Sequence, residues 1–302
     1  MNKKFNVSIS VVMPVYNTKS YLREAIESIL TQTFNDFELI IINDGSTDGS
    51  IDVIENYASL DKRIKVVSRE NRGISATRNE GVSLSSGKYI AWMDSDDIST
   101  SERLAIQYSY MEKTPDVLAI GTGVRLIDPD SDDLCEWKMP ETHDDIDDFH
   151  MQGKGGAITF PSSMIRRSAI NAAGGFRKDI VAAEDMDLFL RLAEIGKIEN
   201  IHPLLLLYRQ HEKSISHTAR SKVAENTELV LRAAYKRRGL EYKGVTILSS
   251  EQRLVDIYNK WAWWALSSGN LKTARKYAIR VMKHNPFNIE NLRLLACVIR
   301  GR

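Results

Sequence analysis

The chain has 302 residues, 41 Lys and Arg against 40 Asp and Glu, and a formal charge of +1, with 43% hydrophobic and 27% charged residues. That apolar content excludes a disordered chain. The balanced charge excludes a protein that coats nucleic-acid phosphates, and the length suffices for one large domain with a small appendage. No apolar run reaches the ~18 residues that span a bilayer. The start, Met1-Asn2-Lys3-Lys4-Phe5-Asn6, leads into a segment containing Ser8, Ser10 and Pro14 that reads as a strand rather than a signal peptide. Cys135 and Cys297 lie far apart and read as reduced thiols of a cytoplasmic protein.

In chain order, Ile9–Met13 is a β-branched strand ending at Pro14, and Ser20–Thr31 a helix with Leu22, Ile26, Ile29 and Leu30 on one face. Phe37–Ile42 is a second buried strand, Thr47–Leu60 a second helix, and Ile64–Val67 a third strand. A helix over Ser75–Ser85 precedes a fourth strand, Tyr89–Met93. Near-continuous apolar strands alternating with amphipathic helices make βαβ units and a mostly parallel sheet. Ligands of such sheets bind beyond the carboxyl ends of the strands, at the topological switch point.

Strand-like segments continue to about Tyr208, with a helix at Glu184–Glu194, and the chain beyond Ser216 reads as helical. Two acidic stretches, Asp128 to Glu136 and Asp144 to Asp148, lack the Gly and terminal Glu of an EF-hand and read as solvated turns and helix starts. Residues 260–302 carry nine basic side chains against Glu290, a net +8 that leaves −7 for the rest. The spacing Gly269…Ala274…Pro286 matches half of a tetratricopeptide-type hairpin, read here as a helical hairpin. Trp261, Trp263 and Trp264 read as packing residues, although a basic tail with aromatic residues also suits an anionic inner leaflet.

Chemistry is expected in the loops after the strands. Pro14-Val15-Tyr16-Asn17 follows the first. Asn43-Asp44-Gly45-Ser46-Thr47-Asp48 follows the second, where Asp44 suits hydrogen bonds from a base or ribose, or these residues merely turn the chain and cap a helix. Asp94-Ser95-Asp96-Asp97 puts three carboxylates at the edge of the core, where mutual repulsion calls for a hard divalent cation, or where they cap the helix near Ser99 and Ser101. Glu184-Asp185-Met186-Asp187 starts a helix, and Arg209-Gln210-His211 ends a strand.

With Asn71-Arg72-Gly73, Arg78-Asn79-Glu80-Gly81 and Gly174-Gly175-Phe176, these segments occur in one order, and over residues 7–216 the chain resembles the GT-A-fold family 2 of inverting glycosyltransferases. The resemblance implies an α/β GT-A fold, a Rossmann-like and mostly parallel sheet with flanking helices. It implies a transferase domain over 1–216 and an all-helical extension over 217–302. It implies a nucleotide-sugar donor, usually a UDP-sugar, with Mn²⁺ or Mg²⁺, and a glycan or lipid-linked saccharide acceptor. By likeness Pro14, Tyr16 and Asp44 hold base and ribose with help from Arg72 or Arg78. Asp94 lies near the ribose, Ser95 and Glu184 belong to the donor site, and Asp96 and His211 serve the metal. Asp185 is the general base, which takes the acceptor proton during one inverting displacement. Two features depart from the pattern: Asn43 stands where many relatives carry Asp, and Phe160 precedes Pro161-Ser162 where relatives often have His. Gly153, Gly155 and Gly156 suggest a mobile loop near the acceptor. The expected setting is cytoplasmic, with a basic tail able to touch the inner leaflet. Two other readings remain at this point: a sugar-nucleotide nucleotidyltransferase, for which the loop after strand one lacks a Gly-rich phosphate cradle, and a non-catalytic sugar-nucleotide scaffold.

Overall fold

The computed structural model describes residues 7–212, 214, 218–245 and 253–301. The N-terminal Met1–Asn6 segment, Lys213, the expected boundary at Ser216, and Arg302 lie outside them. The first half alternates: β1 Ile9–Val15, α1 Lys19–Leu30, β2 Phe37–Asp44, α2 Ser50–Leu60, β3 Ile64–Arg69, α3 Ile74–Leu84, β4 Tyr89–Trp92, β5 Ile98–Ser99, α4 Arg103–Lys113 and β6 Val117–Ile127. Then come β7 Asp133–Trp137, α5 His143–Met151, a 3₁₀ turn Phe160–Ser162, β8 Met164–Arg166, α6 Arg167–Ala172, α7 Glu184–Ala193 and β9 Lys197–Arg209. The remaining helices are α8 Arg220–Arg237, α9 Leu254–Ser267, α10 Leu271–His284 and α11 Ile289–Arg300.

The strands lie in the order β3-β2-β1-β4-β8-β6-β9-β5, with β7 on β6. β1 pairs in parallel with both β2 and β4, and β2 with β3, whereas β8 runs antiparallel to β4 and β6. The sheet is therefore parallel over β1 to β4 and mixed beyond. Chain connections diverge on either side of β1, so the loops after β1 and β4 open a crevice at their carboxyl ends. β1 continues past Pro14, where the sequence suggested a stop. Val12 turns its carbonyl to β4, accepting from Met93 N–H at 3.1 Å, and Pro14 shares that orientation two residues on. β4 has already ended at the Val12–Trp92 pair, so the missing proline N–H breaks no ladder bond.

Contacts divide the chain into two compact units. One comprises Met1–Gly123, Met139–Leu206 and Glu225–Ile247; the other Val124–Lys138, Leu207–Ala224 and Leu248–Arg302. In the first, Val12, Ile90, Trp92, Phe160, Ile165, Phe176 and Phe189 share one core. Trp92 packs against Phe160 at 5.0 Å and edge-on to Phe176 at 5.3 Å. Met186 and Leu190 of α7 bury Val230, Leu231 and Ala234 of α8. Helix α3 lies close on β1, because only a glycine fits: a Cβ on Gly81 would come 2.4 Å from Val12 Cγ1.

In the second unit α9 and α10 form the expected hairpin around Trp261, which is fully buried with Tyr277 edge-on at 5.0 Å. Trp264 packs edge-on to Trp137 at 5.7 Å. Both act as packing residues. The Asp128 stretch differs from a solvated turn. Asp128 is fully buried, its Oδ1 accepts the N–H groups of Asp130 and Asp132 at 2.9 and 3.0 Å, and its Oδ2 takes Lys276 Nζ at 2.5 Å and Tyr277 Oη at 2.9 Å. Lys276 also reaches Asp130 and Asp132, which holds its amine well above the usual range. The second acidic stretch does start a helix: Thr142 caps α5, with Asp144 and Asp145 in its first turn.

Candidate active site

The loop after β1 is held to those after β2 and β4. Thr47 N–H donates to Asn17 Oδ1 at 2.7 Å, Asn17 N–H to Ser46 Oγ at 3.0 Å, and Thr18 Oγ1 to Ser95 Oγ at 2.8 Å. Asn17 takes φ 54°, in the left-handed region that Asn tolerates. Pro14 is buried in the sheet while Tyr16 projects into solvent.

Asp44 is buried at the end of β2 and already engaged. Its Oδ1 accepts Arg72 N–H at 2.8 Å and the Arg69 guanidinium, and its Oδ2 accepts Gly73 N–H at 3.0 Å. Asp44 thus builds the 71–73 loop and leaves the Arg72 side chain exposed. The same packing demands Gly45: at φ 78°, a Cβ there would stand 2.7 Å from Asn71 N. Arg69, which the sequence did not single out, also donates to Glu80 Oε2 at 2.6 Å and Thr77 Oγ1 at 3.0 Å, binding the loop to α3.

Asp94, Asp96 and Asp97 follow β4, with one carboxylate oxygen from each lying within 4.8 Å of the others. Asp94 keeps 32% of its side chain exposed. Its carboxyl is pushed up to about 6 by burial and by Asp96 and Asp185, against the opposing charge of Arg78. Glu184, at the first position of α7, is buried and pushed up to about 7 by burial, again against Arg78 and reinforced by Asp185. Arg78 joins the two. It donates Nη1 to Glu184 Oε1 and stands 4.0 Å from Asp94 Oδ1. Its guanidinium lies 3.9 Å from the centroid of the Phe160 ring and 5.6 Å from that of Phe176, and its buried Nε has no acceptor among the described residues. Arg78 is therefore a buried cation between the β4 loop and α7, and Phe160 is the plate beneath it.

Two further features escaped sequence reading. Arg103 is fully buried behind the acidic cluster, donating to Trp92 O at 2.7 Å, Ser163 O at 3.2 Å and Gln107 Oε1 at 3.0 Å. Burial pulls it down to about 9, against the support of Asp97 and Asp94. Ala183 precedes α7 at φ 71°, a left-handed conformation that is strained for alanine, right before Glu184 and Asp185. An arginine on an amphipathic helix and an alanine before one carry no local signal of either role.

The glycine motif explains itself through α3. Asn79 Nδ2 donates to Phe176 O at 2.7 Å and its Oδ1 accepts Phe176 N–H at 2.9 Å, with Gly175 at φ 71° packed against that amide. His211 belongs to the second unit, in the loop after β9, its N–H donating to Ser214 Oγ at 3.3 Å. Arg209 before it is buried and holds the turn after β6, donating to Ser131 Oγ at 2.9 Å and Pro129 O at 3.2 Å.

Residues 10–174 match the family model described as glycosyl transferase family 2. The chain belongs to that family. This glycosyltransferase is 37% identical over 219 residues to the Escherichia coli O-antigen biosynthesis glycosyltransferase WbnJ, covering 70% of this chain and 83% of that one. Among solved structures, S. aureus TarS 1-349 in complex with UDP-GlcNAc superposes with a TM-score of 0.59 at 16% identity, over 97% of this chain and 89% of that one. The mannosyltransferase PcManGT from Pyrobaculum calidifontis, in complex with GDP-Man and Mn²⁺, gives 0.58 at 16% identity, over 99% and 89%. At that identity the likeness carries the fold, a GT-A-type α/β sheet followed by helices. The glycosyltransferase has no helix among its described residues that is long and apolar enough to cross a membrane.

Proposed function

We propose that this glycosyltransferase moves a sugar from a UDP-sugar to a hydroxyl of a glycan or lipid-linked saccharide in surface-polysaccharide synthesis, inverting the anomeric configuration in one displacement. One observation carries the reading: three carboxylates with oxygens within 4.8 Å sit at the strand switch point, and one of them, Asp94, interacts with Glu184 and Asp185 at the start of α7. WbnJ is named for O-antigen biosynthesis, and the two solved neighbours hold nucleotide sugars. Those names support the donor and acceptor classes.

The residues fit a hard divalent ion. All three are oxygen donors with one oxygen from each within 4.8 Å of the others, and Asp94 is raised by burial first, with Asp96 and Asp185 adding like charge against Arg78. Asp96 would hold Mn²⁺ or Mg²⁺ beside Asp94 and Asp97; His211 is proposed for the metal on the family resemblance alone. When bound, such an ion neutralises charge building on a departing diphosphate.

The chain's own residues do the rest. Exposed Tyr16, with Pro14 behind it, offers an apolar wall for the base, and Asp44 positions the loop that presents Arg72. Asp94 and Ser95 line the ribose side. Arg78 clamps Glu184 and so orients the start of α7, where Asp185 takes the proton of the acceptor hydroxyl as that oxygen attacks. A single in-line displacement needs no enzyme nucleophile. The left-handed turn at Gly153 and Gly156 is a candidate acceptor-side loop. We place the transferase domain over 1–216 and the helical extension over 217–302, in a cytoplasmic setting.

Asp185→Asn tests this reading. Loss of the general base lowers turnover about 10²–10⁴-fold while nucleotide affinity holds, read as UDP released from a screen of nucleotide sugars. Wild-type turnover in the variant removes the proposed base. Release of pyrophosphate in place of UDP would make the enzyme a nucleotidyltransferase.

A further inference from the structure

The second unit carries a helix face that nothing among the described residues covers. α11 buries Asn291, Leu294 and Val298, packing on α10 and α9. Its opposite face carries Ile289, Leu292, Ala296 and Ile299, spaced so that they fall on one stripe. Ile289 is 82%, Leu292 46% and Ile299 69% exposed, and Phe287 in the preceding turn is 90% exposed. Four large apolar side chains held in water on one short segment are the mark of a surface that meets something.

Charge indicates what it meets. The basic side chains of the tail divide into two groups. Lys272 and Lys276 are paired with Asp128, Asp130 and Asp132, Arg280 lies over the rings of Tyr258 and Tyr277, and Lys260 over that of Trp264. Those cations are engaged in holding the unit together. Lys283 at the end of α10, and Arg293 and Arg300 on α11, have no ion-pair partner among the described residues, and Glu290 is the lone acid on α11. Arg293 and Arg300 stand seven residues apart, so both border the same side of the apolar stripe. The tail's described cations with neither an ion pair nor a ring contact are thus Arg275 and Lys283 on α10 and Arg293 and Arg300 on α11, and the last two edge the exposed apolar face.

We propose that this face of α11, with Phe287 and Lys283, docks on an anionic lipid surface. An interfacial helix requires this arrangement: apolar side chains to enter the acyl boundary and basic ones to meet acidic headgroups. A second copy is the poorer occupant. A two-fold interface sets the face against itself, bringing Arg293 and Arg300 of both copies together with Glu290 alone to offset them. The inference stands apart from the proposed reaction.

The test is sedimentation of the full chain with phosphatidylcholine–phosphatidylglycerol vesicles and with pure phosphatidylcholine vesicles. Binding is expected to the mixed vesicles alone, weakening as salt is raised to about 0.5 M. Arg293→Glu/Arg300→Glu weakens it more than ~25-fold, since each basic residue contributes ~5-fold. Phe287→Ser/Ile289→Ser weakens it more than ~10-fold through lost apolar insertion, while Leu60→Ser, at an exposed leucine of the first unit, leaves it unchanged. Ile289→Trp gives a gain of signal, a blue-shifted emission component on mixed vesicles, which no folding defect would produce. The proposal is overturned by absence of vesicle binding, by equal binding to both vesicle types, or by variants that bind like wild type. A concentration-dependent dimer abolished by Phe287→Ser/Ile289→Ser, without vesicle binding, would likewise overturn it and assign the face to a second copy.

Discussion

Arg78 is the residue whose removal has a calculable pH signature. In Arg78→Met the guanidinium that opposes the burial of Glu184 and Asp94 is gone, and each carboxyl can escape only by taking a proton. At pH 7 that escape is nearly free for Glu184, at about 7, and costs ~1 kcal/mol for Asp94, at about 6. Lost stacking of the cation on Phe160 adds ~1 kcal/mol, so the variant loses ~2–3 kcal/mol at that pH. Near pH 6 both protons are almost free and the loss falls to ~1 kcal/mol. Near pH 9 protonation is too expensive, and the loss climbs to the ~3–5 kcal/mol of a broken buried pair. The sign follows from the raised pKa values: the folded protein holds these protons more tightly than the unfolded chain, so ionisation with rising pH works against folding, and Arg78 relieves it. Urea-unfolding midpoints of wild type and variant across this range measure the difference. A difference that stays flat, or shrinks as pH rises, refutes the electrostatic role given to Arg78.

His150 titrates with the opposite sign. It is fully buried and pulled down to about 4 by burial, so between pH 6.5 and that value the unfolded chain binds the proton and the folded one does not. Stability should therefore fall by up to ~3 kcal/mol as pH drops through this window, and His150→Phe, which keeps the stacking on Phe189, should remove that slope, so that the wild-type-minus-variant difference falls as pH drops. An unchanged slope would show that His150 is not held neutral. In the second unit, Lys276→Met strands Asp128, which is fully buried, and should cost ~3–5 kcal/mol; hydrogen exchange over the 128–132 turn and α10 should rise, and wild-type protection there contradicts the clip.

The parallel half of the sheet was legible because its strands are short apolar runs and its helices have a clear 3.6-residue period. The loops after these strands were legible as polar segments because each begins where a buried apolar run ends. What the sequence hid was which polar groups satisfy one another. Asp44 looked like a ligand-facing carboxylate, yet its oxygens hold Arg72 and Gly73 N–H and Arg69, partners that lie 25 to 29 residues away. Arg78, expected to help on the donor side, lies against Phe160 and Phe176, a packing match across some 80 to 100 residues that no local pattern records. Asp128 looked solvated because acidic turns usually are, and the lysine that buries it comes from α10, 148 residues on. The stop expected at Pro14 failed because proline's missing donor matters only where a neighbouring strand is present.

If the carboxylates after β4 grip a divalent ion and, through it, the donor diphosphate, UDP binding depends on that ion. Calorimetric titration of UDP into wild type and into Asp96→Asn, each with Mn²⁺ and with chelator, addresses it most directly. UDP affinity should rise with Mn²⁺ in the wild type and lose that gain in Asp96→Asn, whose melting temperature stays at the wild-type value. UDP binding of equal strength in chelator and in Mn²⁺, for the wild type, would contradict the account.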